Sequence, residues 1–177
     1  LNVMKDVGCG IDAVSIQEVE LALYVGFKTD QIFYTPSGVE LSEIKKAFKL
    51  GVQVNIDNIS ALKKITENLS TVKLGIRINP NVRAGGNSKI SVGDSESKFG
   101  LNTSEIQEAK KIISENNISI NGLHIHTGSD IEDINSFLKA CDFVFEQAKG
   151  FDELEFLDFG SGFKVKYFEN DSETDVI

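Results

Sequence analysis

The residues best suited to chemistry in this chain are Asp12, Arg77, Asn79, His124, His126 and Asp158, with Gly160-Ser161-Gly162 following closely on the last of them. Each lies in, or at the end of, a short β-rich run. Carboxylate, guanidinium and imidazole groups gathered at one end of parallel strands can hold and polarise a small ligand. A solvated strand end accounts for any one of them alone; their convergence is what argues for a site. His124 and His126 are the only histidines, and a spacing of two puts them on one face of a strand. Two imidazoles so placed would suit zinc, but zinc needs a further Cys, His or carboxylate, and although Asp158 is a candidate nothing in the sequence fixes its distance. Packing or ring stacking is the expected use, and no metal is expected. Small residues at Gly160-Ser161-Gly162 let successive N–H groups approach an anion, as in a phosphate nest. A simple turn is the other reading of that triplet. The dinucleotide fingerprint is absent, because no third glycine follows in place and position 165 is valine.

The elements that must position these groups follow one repeated pattern: a short strand, a turn, an amphipathic helix. Strands are expected at 11–14, 31–35, 52–56, 73–79, 118–126 and 154–159. Ser15 and Glu18 form an S-x-x-E capping box at one helix start. Leu41, Ile44 and Phe48 make a helix face, with Gly51 where a C-terminal cap belongs. Leu62, Ile65 and Leu69 make the next face, and Ile106, Ala109 and Ile113 another. Ile134, Phe137, Cys141, Val144 and Ala148 give the clearest helical stripe, ended by Gly150. A long connection runs from Pro80 to about Leu101, a length that suggests a functional loop. Leu1 to Lys5 reads as the last turn of a helix already under way, and both ends look cut. Alternating strands and helices imply α/β architecture with a parallel sheet and right-handed crossovers. About six units are visible, against eight in a closed (β/α)8 TIM-type barrel. A doubly wound open sheet is the competing arrangement.

Composition narrows the function classes. A net charge of -9, from 27 acidic and 18 basic residues, argues against a nucleic-acid surface. No apolar stretch of about 18 residues is present to span a membrane, and residues 1–10 carry no signal-peptide pattern. The two cysteines, Cys9 and Cys141, are far apart and without metal spacing, which fits free thiols in a reducing cytoplasm.

The motifs together resemble the fold-type III family of pyridoxal-phosphate decarboxylases, from Gly8 to Tyr167. Gly10-Ile11-Asp12-Ala13-Val14-Ser15 with Glu18 looks like that family's G-x-D-x-x-S-x-x-E segment. Arg77-Ile78-Asn79-Pro80 followed by Ser97-Lys98-Phe99-Gly100 looks like its R-x-N-P and S-K-F-G pair. Gly122-Leu123-His124-Ile125-His126-Thr127-Gly128-Ser129 is similar to its G-L-H-x-H-x-G-S strand end. Asp158-Phe159-Gly160-Ser161-Gly162-Phe163 resembles its glycine triplet. Asn79-Pro80-Asn81 and the complete S-K-F-G point to the diaminopimelate branch.

The resemblance implies a partial (β/α) barrel over residues 1–177 that binds pyridoxal 5'-phosphate. It implies that His126 lies flat against the pyridine ring, and that Ser129 with the amides of Gly160, Ser161 and Gly162 holds the phosphate. Asp12 would sit beside the lysine that carries the cofactor, and Arg77 would set charge near the ring. The implied reaction is loss of carbon dioxide from an amino acid, giving lysine in the diaminopimelate branch, by a cytoplasmic homodimer. Sister decarboxylases for arginine, ornithine or carboxynorspermidine, and a non-catalytic cofactor-binding relative, are the alternatives. Two departures stand out. Serine replaces the middle glycine at 161, which is harmless if no positive φ is needed there. The family's cofactor-linking lysine is expected before Leu1, and its ring-nitrogen glutamate and small β domain after Ile177, so the chain is expected to be inactive alone.

Overall fold

The computed structural model describes residues 1–82, 98–116 and 118–175. Ser97, the first residue of the S-K-F-G motif, lies outside the described residues, as does Ile177. Among the described residues, a short helix α1 (Asn2–Asp6) precedes five βα repeats and a sixth strand. The strands are β1 (Ile11–Ala13), β2 (Ile32–Tyr34), β3 (Gln53–Ile56), β4 (Val72–Arg77), β5 (Ile118–His124) and β6 (Phe156–Asp158). The helices between them are α2 (Ile16–Val25), α3 (Leu41–Leu50), α4 (Ile59–Asn68), α5 (Thr103–Ser114) and α6 (Ile134–Ala148). Among the described residues, no helix is long and apolar enough to cross a membrane.

Local chemistry starts and stops these helices. Ser15 Oγ accepts the Glu18 amide, and the Glu18 carboxylate accepts the Ser15 amide in return, closing the expected capping box of α2. Asn102 and Glu105 do the same for α5. Gly51 ends α3 in the left-handed conformation. The last helix is capped one residue before its glycine, by Lys149 in right-handed geometry.

The sheet is wholly parallel and its order is β1-β2-β3-β4-β5-β6. Strict chain order has no switch point, so the doubly wound alternative falls. The sheet also curls. In a flat sheet, β1 and β6 would stand about 24 Å apart at the usual strand spacing. Yet Asp12 on β1 brings a carboxylate oxygen within 4.8 Å of one on Asp158 of β6. Lower in the curl, Phe33 of β2 meets Phe156 of β6 edge-on, with centroids 4.9 Å apart. Gln53 of β3 and Asn121 of β5 exchange amide hydrogen bonds of 2.8 and 3.1 Å. These cross-sheet contacts define the inside of a half-closed barrel.

The outer face carries the core. Ala13, Ile32, Tyr34, Val54, Ile56, Leu74, Ile76 and Leu123 are buried under helix residues such as Val19, Ile44, Leu62, Ile106 and Val144. Each large aliphatic side chain there contributes about 1.5–3 kcal/mol of burial. The inner face is polar or small: Thr35, Asn55, Asn79, Asn121 and His124 are all buried. Gly75 and Gly122 sit side by side there; Phe156 fills the space left at Gly122, and the Asn55 amide, with the Phe156 ring behind it, the space left at Gly75. The aromatic pair thus forms a floor beneath the polar strand ends.

Candidate active site

Register places the chemistry. In the parallel ladder, Arg77 of β4 pairs with His124 of β5, and His124 with Asp158 of β6. Three polar groups therefore stand in one row at the C-terminal ends of adjacent strands, and the curl brings Asp12 across to face them. The expected strand 118–126 ends its ladder at His124, so His126 stands just beyond it. Of the predicted residues, the structure gathers Asp12, Arg77, His126 and the 160–162 turn about one lumen. Ser129 lies solvent-exposed on the loop leaving β5.

Each charge is set by its neighbours. Surrounding protein atoms withdraw water from the Asp12 carboxyl and raise its pKa, although the residue keeps open surface. His124, the Thr35 hydrogen bond and Arg77 pull it back only in part. Burial also pushes the Asp158 carboxyl up, but the His124 and Gly160 hydrogen bonds and the two histidine charges outweigh it, leaving a net lowering. Burial lowers Arg77, while Asp57, Asp12 and Asp158 support its charge. Its guanidinium also lies 4.9 Å from the centroid of the Phe99 ring, in cation–π contact. Burial, then Arg77 and His124, lower His126 below the ordinary histidine value. A ring held neutral at pH 7 suits flat stacking rather than proton transfer.

Three residues that sequence reasoning passed over complete the site. Thr35 Oγ donates to Asp12 Oδ1 at 3.0 Å, and Asn55 Nδ2 donates to Thr35 Oγ at 3.1 Å. Asp57, 3% exposed, faces Arg77. Their signal was present: Gln53, Asn55 and Asp57 alternate as polar residues in a run otherwise made of Val52, Val54 and Ile56. Thr35→Val keeps the side-chain shape but removes the hydrogen bond that holds Asp12 in its charged form. The Asp12 carboxyl is expected to titrate higher still in that variant. Carbon-detected NMR titration of Asp12 checks this; an unchanged midpoint would show that the Thr35 contact is idle.

The 160–162 turn fits an anion. Gly160 has φ of +65° and Gly162 of +126°, a region that favours glycine. A Cβ on Gly160 would lie 2.6 Å from the Ile125 carbonyl oxygen. Ser161 needs no positive φ, so serine is tolerated between them. The Gly160 amide donates to Asp158 Oδ1 at 2.8 Å. Among the described residues, the Ser161 and Gly162 amides make no hydrogen bond, which leaves two adjacent donors for a phosphate. The Thr127 hydroxyl, buried in the neighbouring segment, also lacks a partner. Asp12, His124 and Asp158 are close enough to share a cation, yet His124 and Asp158 are already hydrogen-bonded to each other and Arg77 stands in the same row. A pyridine ring bearing a phosphate matches this donor set better than a metal does.

Known proteins resemble this chain in sequence and fold. All of residues 1–177 match the family described as pyridoxal-dependent decarboxylase, pyridoxal binding domain. Diaminopimelate decarboxylase of Methanothermobacter thermautotrophicus is 32% identical, over 99% of this chain and 42% of its own length. That of Helicobacter pylori is 34% identical, over 94% of this chain and 44% of its own. The crystal structure of the H. pylori enzyme complexed with L-lysine superposes with a TM-score of 0.86 at 30% identity, covering 98% of this chain and 46% of that one. The chain thus spans less than half the length of these relatives. Because the family match runs through the whole of residues 1–177, the chain belongs to the pyridoxal-dependent decarboxylases, as their pyridoxal binding domain.

Proposed function

We propose that the chain is the cofactor-binding part of a longer polypeptide that decarboxylates meso-diaminopimelate to lysine. The observation that carries this reading is the meeting of Asp12 with Arg77, His124 and Asp158 across the curled sheet, beside a turn with two free amides. Its relatives bear the name diaminopimelate decarboxylase, and one was crystallised with L-lysine. Bound pyridoxal phosphate supplies the sink for the electrons released as the substrate carboxylate departs. The chain's own groups do the rest of the work assigned to this wall. The Ser161 and Gly162 amides, with Ser129, hold the phosphate. His126 offers a neutral ring to stack on the pyridine. Asp12 and Arg77 fix opposite charges at the lumen mouth, where the reacting groups are expected to lie.

The sheet supports the view that more chain is needed. Among the described residues, β1 and β6 each have one unpaired edge. Leu21 and Tyr24 of α2 and Leu138 and Phe145 of α6 are exposed apolar residues on the two flanking helices. We place the working enzyme in a reducing cytoplasm, in keeping with two free cysteines, and as a homodimer on the family resemblance.

The test is carbon dioxide release by the complete polypeptide loaded with pyridoxal phosphate. Meso-diaminopimelate is expected to exceed ornithine and arginine in kcat/KM by about 100-fold or more, because a site built to hold a distal carboxylate rejects substrates lacking it. The 177-residue chain alone is expected to release none. Equal turnover of ornithine or arginine would move the protein to a sister branch, and cofactor binding without any decarboxylation would leave only a binding role.

A further inference from the structure

His124 does not belong to the groups expected to touch the cofactor, yet it is more deeply buried than they are, at 2% exposure. Its Nδ1 lies 2.7 Å from Asp158 Oδ2. A carboxylate accepts, so Nδ1 carries the proton in this contact. The other oxygen, Asp158 Oδ1, accepts the Gly160 amide at 2.8 Å. A carboxylate held at both oxygens by donors from separate segments has lost its rotation, and it passes the position of one donor to the other. The Asp158 carbonyl is fixed as well, accepting the Ile125 amide at 2.9 Å. On the far side of the turn, the Gly162 carbonyl accepts the Ile131 amide at 2.9 Å. Gly160 also packs on His126: a Cβ there would stand 3.1 Å from His126 Nδ1. The turn that offers two free amides and the segment that carries His126 are thus clamped together, and His124 is the buried end of the clamp.

We propose that His124 is a positioning residue that acts through Asp158 to fix the Gly160 peptide and so aim the Ser161 and Gly162 amides at one phosphate. This inference rests on the reading of the 160–162 turn as a phosphate site. The competing role is simple space filling, and the two separate chemically. His124→Asn puts an amide nitrogen at the same branch position as Nδ1 and keeps the donor. His124→Leu fills much of the volume without a donor.

In the ligand-free chain, hydrogen exchange at the Gly160 amide, read by NMR, is expected to speed up by about tenfold in His124→Leu, the worth of one hydrogen bond, and to stay near wild type in His124→Asn. In the complete polypeptide, the ratio of affinities for pyridoxal phosphate and pyridoxal is expected to fall by about tenfold in His124→Leu and to hold in His124→Asn. Should His124→Leu fail to fold, His124→Gln, whose amide stands one bond too far out, takes its place. Unchanged Gly160 exchange in the donor-less variant, or equal loss of both affinities, overturns the proposal. A wild-type protein that binds pyridoxal as tightly as pyridoxal phosphate would instead sink the phosphate reading, while the Gly160 exchange data would still decide the role of His124.

Discussion

A Gly162→Ala protein is expected to be about 3 kcal/mol less stable than wild type and to bind pyridoxal phosphate about 100-fold more weakly. Gly162 sits at φ of +126°, where a side chain is strained whatever the space around it. Space is also lacking. An added Cβ would be driven into the Gly128 carbonyl oxygen and would stand 3.2 Å from the Ser129 Cα, both of them backbone atoms. No rotamer change relieves such a clash, so one of the two segments must move. Either movement separates Ser129 from the Ser161 and Gly162 amides, the groups expected to share the phosphate. Ser161→Gly is the control. Its backbone needs no positive φ, so the change costs only chain entropy, about 0.5–1 kcal/mol, and binding is expected to persist. Urea unfolding and a fluorescence titration with pyridoxal phosphate measure both quantities. Equal behaviour of the two variants would mean that the turn adapts freely and that its shape is not what binds phosphate.

The contrast between positions 161 and 162 shows how far the sequence could be read. The alternating strands, the S-x-x-E box at Ser15 and Glu18 and the helix stop at Gly51 are local signals, and local geometry follows them. Periodicity also told which strand face is apolar, and so located the lumen. It could not tell how strongly the sheet curls, because curvature depends on strand tilt and register across neighbours. The ladder shift between Leu74 and Gly75, opposite Asn121, is a case in point. Nothing in the composition of either strand marks it, since it arises where the two strands meet. The stripe on α6 was plain, yet only Ala140 and Val144 are fully buried along that helix. An apolar face in a sequence states a need for burial and not the partner that meets it. Asp158 shows the same limit at the site. Its position near the glycine turn suggested a role, but that its two oxygens divide between His124 and Gly160 is known only once β5 and β6 are in register.

Arg77 is where loss of one group should disturb the most others. Asp12, Asp57 and Asp158 all support its charge, and burial opposes it. Arg77→Met keeps much of the apolar stem and removes the cation, leaving three carboxylates without their shared counterion. An exposed pair is worth about 1 kcal/mol or less, while breaking a buried one costs about 3–5 kcal/mol. Arg77 is half-buried, so a loss of about 2 kcal/mol at pH 7 is expected between those limits. The pH dependence has a definite sign. Without Arg77, the folded-state pKa of Asp12 rises further above its unfolded value. The folded protein then holds protons more tightly than the unfolded chain, and the deficit is greatest at neutral pH and shrinks as pH falls through the carboxyl range. His126 moves as well. After burial, the Arg77 charge does most to lower it, so its NMR midpoint is expected to rise toward the ordinary histidine value in Arg77→Met. That makes the ring easier to protonate and weakens its use as a neutral stacking surface. Arg77→Lys separates charge from shape: it keeps the cation, and most of the His126 shift, but loses the planar contact with Phe99. If the His126 midpoint stays fixed in Arg77→Met, the two groups do not share the lumen as described. If it rises in Arg77→Met and not in Arg77→Lys, charge in this row governs the ring that the cofactor is expected to meet.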